Sequence, residues 1–312
     1  MVSRHDAEGA GLSIVRGRSP WPLGHTPGIG KSSQRFTISS VARYDVIVVG
    51  AGPAGSTTAY RLACAGARVC LLDRARFPRD KPCGGGLTLR AVRELPFSVE
   101  PVVEDRVHTL ELGLRYARRW SRRAPEPLVL MTQRRRLDAF LVDRAAAAGA
   151  EFSDGVKVTG VDPGGVVTIG GERLEADVVV GADGWHSVVS AAVQPERYNE
   201  KPPLLAAYYS YWSGLPMNGR FETYIRPGRG FAAVPTHDDL TLVVGGWPFA
   251  QFEANKMDIE GNYLAIFDLV PAFAERIRSA KRASSVPPCP TTSASPSVPA
   301  GRWSAMPGTT RT

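Results

Sequence analysis

The stretch YDVIVVGAGPAG, residues 44–55, decides how this chain is read. Tyr44–Val49 has the length and branched apolar composition of a short buried strand, and the run then breaks on glycine. Gly50, Gly52 and Gly55 stand at GxGxxG spacing where the strand gives way to a helix. Gly50 permits the tight turn. Gly52 removes a side chain so that the backbone can approach a pyrophosphate, and Gly55 lets the helix pack on the strand. Ala54 lies between them in the first helical turn, where unpaired N–H groups sit at the positive end of the helix dipole. The helix is expected over Ala54–Gly66 and a second strand over Arg68–Asp73. Asp73 ends that strand, placed to accept hydrogen bonds from a ribose 2′-hydroxyl, with Arg74 beside it in the same contact region. Its charge disfavours a ribose 2′-phosphate, so NADP is not expected at this turn. A strand, three glycines, a helix, a strand and an acid in this order point to a bound dinucleotide.

Outward from this motif, three further strings carry chemistry. ADVVVGADGWHS, residues 176–187, is a second buried strand running into a Gly-Asp-Gly turn. FPRDKPCGGGLTLRA, 77–91, is a glycine-rich loop around Cys83, and QRRRLDAFLVDRAAAAGAE, 133–151, is an amphipathic helix ending at Gly149. A short helix is expected near Thr88–Leu95, with strands near Val107–Leu114, Leu128–Thr132, Lys157–Val161, Val166–Ile169 and Ala176–Val180. From about residue 204 the pattern alternates aromatic and small residues, giving antiparallel strands that include Arg220–Ile225, Gly230–Val234 and Leu240–Gly245. A helix over Asp258–Ala280, interrupted at Pro271, closes the body.

Taken together, these strings resemble the flavoprotein aromatic hydroxylase (monooxygenase) superfamily and, through the Cys83 loop, its geranylgeranyl reductase branch, over about residues 44–280. The resemblance implies an α/β fold: a Rossmann-type, glutathione-reductase-like FAD-binding domain with an inserted antiparallel β-sheet substrate domain. It implies FAD at the Gly50 turn, with Gly181, Asp183 and Gly184 as further cofactor contacts. It places the loop of Cys83, Gly84 and Gly85 against the flavin ring, where Cys83 is either a weak catalytic candidate or an inert small residue. Arg134 is either the family's flavin-side arginine or, with Arg135 and Arg136, part of a solvated basic turn. NAD(P)H would reduce the flavin, which would then reduce or hydroxylate a small hydrophobic substrate. Two departures stand out. Ser190 occupies the place of the family's arginine three residues after Ser187, and Ala232 and Ala233 stand where the branch carries Gly-Tyr-x-Trp. Tyr209, Tyr211, Phe231 and Trp247 serve either a hydrophobic substrate or the core.

Composition bounds the rest. The 312 residues are 43% hydrophobic and 22% charged, an ordinary globular balance, and no apolar run is long enough to span a bilayer. The four cysteines form neither a disulfide framework nor a zinc site, so a reducing cytoplasm and no metal are expected. The net charge of +8 resides in the ends: residues 1–43 and 281–312 carry +4 each, leaving a neutral body that argues against a nucleic-acid partner. GIGKSS at 28–33 fails as a phosphate loop because His25 stands where glycine is required. The chain thus divides into a disordered extension (1–43, with translation starting near Val41), an FAD-binding domain (44–195), a substrate domain (196–280) and a disordered tail (281–312).

The family's third flavin motif, Gly-Asp followed by small residues, is replaced here by a tail in which Pro, Ser and Thr fill 17 of 32 positions. Read one frame over, Arg302–Thr310 can encode Ala-Leu-Val-Gly-Asp-Ala-Gly-Tyr-Asn, so a frameshift is expected in this tail. Weak FAD retention, poor solubility and an exposed strand edge would follow. The alternative function is a catalytically impaired FAD-binding remnant.

Overall fold

The computed structural model describes residues 43–81, 83–114, 119–162, 165–184, 186–194 and 205–283. The expectations for the N-terminal extension, and for the tail beyond 283, lie outside the described residues. In chain order the first elements are β1 (Arg43–Val49), α1 (Pro53–Cys64), β2 (Val69–Asp73), β3 (Gly86–Thr88), α2 (Leu89–Glu94), β4 (Val103–Val107), β5 (Thr109–Gly113), β6 (Arg119–Arg123), β7 (Val129–Thr132) and α3 (Arg134–Ala147). They are followed by β8 (Glu151–Asp154), β9 (Val158–Asp162), β10 (Val166–Ile169), β11 (Glu172–Gly181) and α4 (Val188–Val193). The last set is β12 (Leu205–Ser213), β13 (Arg220–Arg226), β14 (Arg229–Pro235), β15 (Thr241–Pro248), α5 (Phe252–Asn255), α6 (Ile259–Ala265), α7 (Pro271–Arg278) and β16 (Lys281–Arg282).

A six-stranded sheet has the order β8-β2-β1-β11-β10-β9. Its first four strands are parallel, β10 turns back antiparallel against the first half of β11, and β9 pairs antiparallel with β10. β1 reads as an unbroken apolar run because both of its faces are covered. Val46 and Val48 meet Ala59 of α1 and Val142 and Ala145 of α3, while Ile47 and Val49 meet Val158, Val167, Leu174 and Val189. The order steps outward from β1 in both directions, so the carboxyl ends of β1 and β11 flank the switch point where open α/β sheets bind ligands.

A seven-stranded sheet has the order β16-β12-β15-β14-β13-β5-β6. Alternation sets its two faces. Tyr208, Trp212, Tyr224, Phe231 and Trp247 point toward α6 and α7, where they pack on Phe267, Phe273 and Ile277. Tyr209, Tyr211, Phe221 and Val244 point the other way, toward Val107 and Met131 of the small sheet β3-β7-β4. Phe231 and Trp247 are therefore core residues, 3% and 0% exposed, whereas Tyr209 and Tyr211 are only partly buried. Glu222 is buried on the helix side and is satisfied by Arg276 Nη1 at 2.8 and 3.0 Å and by the Tyr224 hydroxyl at 3.0 Å.

Three features differ from the sequence reading. The single strand expected over Val107–Leu114 is two strands, β4 and β5, which belong to different sheets. β5 and β6 join the larger sheet through parallel pairing with β13, so the sheets do not divide the chain at residue 195. Lys281 and Arg282, expected to open the disordered tail, pair with Ser213 and Trp212 as β16.

Candidate functional site

The Gly50–Gly55 bend is built by contacts that exclude side chains. Gly50 has φ +100°, and a Cβ there would lie 2.4 Å from Ala182 O; a Cβ on Gly55 would lie 1.8 Å from Gly50 O. The first glycine therefore lets the β1 turn close onto the turn after β11, and the third lets α1 close onto its own bend. Gly52 differs. Its backbone is extended, and a Cβ would meet only Arg79 Nη2, at 3.5 Å. Gly52 also caps α1 without a side-chain acceptor, and the first turn holds no acidic residue. The positive end of α1, including the turn that holds exposed Ala54, is left uncompensated by its own sequence.

Asp73 lies at the end of β2 and ties this bend together. Its Oδ2 accepts the Ala51 N–H at 2.8 Å and its Oδ1 accepts the Ala75 N–H at 2.8 Å. Each oxygen keeps a lone pair for a further donor. Arg74 next to it is exposed. The sequence reading passed over the residue that completes this corner, Arg79. Its side chain is 14% exposed, with Nη2 3.0 Å from Asp138 Oδ2 and Nε 3.9 Å from Asp73 Oδ2. The buried Nε has no hydrogen-bond partner. The signal that could have found it is a basic residue in a glycine-rich loop between two acids, Asp73 and Asp138, that sit on buried faces.

Asp138 is fully buried and receives Arg134 in a fork, Nε to Oδ1 at 2.8 Å and Nη2 to Oδ2 at 2.9 Å. Burial works against the Arg134 charge, but Asp138, with Cys83 behind it, holds its pKa above the ordinary value. Arg134 is thus not part of a solvated turn. Arg135 and Arg136 are, reaching Asp80 and Glu104 at the surface. Lys81 is held below its ordinary pKa by burial first and then by Arg79, Arg134 and Arg74, so four cations crowd one corner.

The turn after β11 faces the same crevice. Ala182 N–H donates to Val49 O at 2.8 Å, which locks the two turns together. Asp183 Oδ2 accepts the Val188 N–H at 2.6 Å, and its buried Oδ1 has no partner. Gly181 is required because a Cβ would meet Val189 at 2.8 Å, and Gly184 has φ +83°. Across the site, Gly85 (φ +74°) presses on Thr132, its carbonyl accepting both the Thr132 N–H and the Thr132 hydroxyl at 2.9 Å, while Gly84 has open space around it. Cys83 is exposed, and its Sγ accepts the Gly85 N–H at 3.4 Å. The structure thus gathers Gly50, Gly52, Gly55 and Asp73 with Gly181, Asp183 and Gly184. Arg134 is linked to this group through Asp138 and Arg79.

These residues fit a dinucleotide cofactor on three observations: the space over Gly52 that a side chain would fill, the orphaned acceptor Asp183 Oδ1, and the orphaned donor Arg79 Nε. Among the described residues no helix is long and apolar enough to cross a membrane.

Comparison with known proteins agrees with this geometry. A family described as FAD binding domain matches residues 43–238. Geranylgeranyl diphosphate reductase of Rhodobacter capsulatus is 37% identical over 187 residues, covering 54% of this chain and 43% of that protein. Menaquinone reductase of Mycobacterium tuberculosis is 67% identical over 51 residues, covering 16% of this chain and 12% of that protein. The matched stretches span less than half of the length of these two relatives. In fold it is similar to the solved structure of a myxobacterial FAD-dependent halogenase, chondrochloren halogenase, with a TM-score of 0.69 at 24% identity, covering 78% of this chain and 62% of that one.

Proposed function

Because the chain belongs to the FAD-binding domain family, we propose that it serves as the flavin-binding part of an oxidoreductase, fed by NAD(P)H and acting on a hydrophobic isoprenoid- or quinone-type substrate. The substrate class rests on the similarity to geranylgeranyl diphosphate reductase and menaquinone reductase. The observation that carries the cofactor assignment is the buried, unpartnered Asp183 Oδ1, in the turn that the Ala182 N–H ties to Val49 at the glycine bend.

In this reading each residue has a separate task. The open backbone at Gly52 and the free N–H groups of the α1 terminus, Ala54 and Gly55 among them, hold the diphosphate. Asp73 keeps Ala51 in place through its N–H and offers its remaining lone pairs to a ribose. Asp183 Oδ1 accepts a hydroxyl hydrogen bond, and Gly181 and Gly184 let that turn come close. Arg79 and Arg134, braced by Asp138, neutralise anionic charge at the corner, with exposed Arg74 and Lys81 behind them. The loop Cys83–Gly85 forms the wall toward the substrate sheet, where Cys83 acts as a small wall residue rather than as a nucleophile. The bound flavin supplies two-electron redox chemistry that no side chain here provides.

Titration of the purified chain with FAD, followed by flavin fluorescence, tests this. Asp183→Ala removes a buried acceptor and should weaken FAD binding about tenfold or more, while Asp183→Asn, which keeps an oxygen for Val188, serves as the folding control. Equal affinity in the wild-type chain and Asp183→Ala would refute the assignment. With a menaquinone or a geranylgeranyl compound added, NAD(P)H oxidation without matching oxygen consumption identifies a reductase.

A further inference from the structure

The outer edge of the seven-stranded sheet is β6, with the sequence RWSRR, and every residue of it is exposed. Trp120 lies opposite Leu112, and Leu112 lies beside Thr223. Residues paired in this way share a face, as do residues two apart along a strand. Trp120 and Ile225 therefore belong to the same face, and Leu114, directly after β5, continues it. All three are unusually open for large apolar side chains, at 49%, 48% and 39% exposed. Arg122, opposite Leu110, joins them, while Arg119 and Arg123 stand on the reverse face with Glu111 as the nearby acid. By contrast, Arg79 and Arg134 are committed to the buried carboxylate of Asp138, and Arg276 to that of Glu222.

An exposed tryptophan flanked by two aliphatic side chains, on an edge strand that carries arginines on both faces, matches the chemistry of a bilayer surface: aromatic rings at headgroup depth and guanidinium groups on phosphates. The aliphatic pair offers nothing to a nucleic-acid base or phosphate. Self-pairing along this edge would oppose arginines to arginines. We propose that β6, with Leu114 and Ile225, docks the protein on an anionic lipid surface.

The register continues inward from Trp120 through Leu112, Thr223, Ala232 and Val244 to Tyr209. This row borders the cluster that contains Met131, one residue before the Thr132 that holds Gly85. The row is a track by which a lipid-soluble substrate passes from the bilayer toward the site; this second statement rests on the proposed function, whereas the docking itself does not.

Co-sedimentation of the full chain with phosphatidylcholine vesicles, with and without phosphatidylglycerol, tests the docking. The combined Arg119→Ser, Arg122→Ser and Arg123→Ser variant and the Trp120→Ser variant keep both basic chain ends, so any difference belongs to β6. Wild-type protein should sediment with the anionic vesicles only. The arginine variant should bind them about tenfold more weakly or worse, and Trp120→Ser should bind them detectably more weakly. Both should keep wild-type FAD affinity and melting temperature. Variants that sediment like wild type, or equal binding to neutral vesicles, would overturn the proposal. So would DNA retention that the variants lose while their vesicle binding persists, or a change of oligomeric state in the variants without a change in lipid binding. Loss of FAD binding with lipid binding intact would strike the proposed function and leave the docking standing.

Discussion

Replacing Gly52 by aspartate separates the stability of α1 from its capacity to hold an anion. The backbone there, φ −72° and ψ −176°, suits any residue, and the nearest atom to an added Cβ is Arg79 Nη2 at 3.5 Å. Aspartate is a strong N-cap, and glycine lends no side-chain acceptor, so the fold keeps its stability or gains a few tenths of a kcal/mol. The same carboxylate would stand in the space assigned to the diphosphate. Two unit charges about 4 Å apart at an effective dielectric constant of about 20 repel by about 4 kcal/mol. That corresponds to nearly three orders of magnitude in affinity. If the new carboxylate instead pairs with Arg79, the ligand loses both the space and a cation. A thermal melt should therefore show an unchanged or raised Tm, while fluorescence titration shows FAD binding weakened by about a thousandfold. Gly52→Ser, which caps without charge, should lose far less. FAD binding by Gly52→Asp within about tenfold of wild type would show that no diphosphate rests on this turn.

Asp138→Asn leaves two buried guanidinium groups short of their shared counter-charge and should cost about 3–5 kcal/mol in urea unfolding; a loss below about 1 kcal/mol would mean that the pairs relax to solvent. The cysteines should react unequally. Cys64 and Cys83 are exposed, whereas burial, aided by the Glu151 charge, pushes the Cys70 thiol up to about 12. Iodoacetamide followed by peptide mapping should label Cys64 and Cys83 in the folded chain and spare Cys70. Because folded Cys70 keeps its proton to higher pH than the unfolded thiol, its contribution to stability is full below about pH 8.5 and is lost as pH rises toward 12. Stability flat across that range would contradict the burial.

The glycine bend, the strand before it and the helix after it were legible because each residue there answers to a local rule. Gly50 needs a positive φ, Gly55 needs no Cβ, and β1 is apolar on both faces. The Gly-Asp-Gly turn was legible for the same reason. β8 was not: EFSD carries no strand pattern and becomes a strand through parallel pairing with β2, helped by Asp154 accepting the Phe77 N–H at 2.6 Å. β6 was equally opaque, since RWSRR shows no alternation of apolar and polar residues, and only the neighbouring β5 makes it a strand. Arg79 was missed because its meaning depends on two carboxylates distant in sequence. For Asp73, the sequence foretold a nucleotide contact but not that the carboxylate would hold the bend's own amide.

The parallel pairing of β5 with β13 joins segments more than a hundred residues apart, with all of β7 through β12 made in between. During synthesis, β1, β2, β8 and β11 are all made before β13, so the six-stranded sheet can close first. The arginine-rich ribbon must then wait as an unanchored flap. Long-range closures of this kind are slow, and until β13 is made the nucleotide fold stands with that ribbon still undocked.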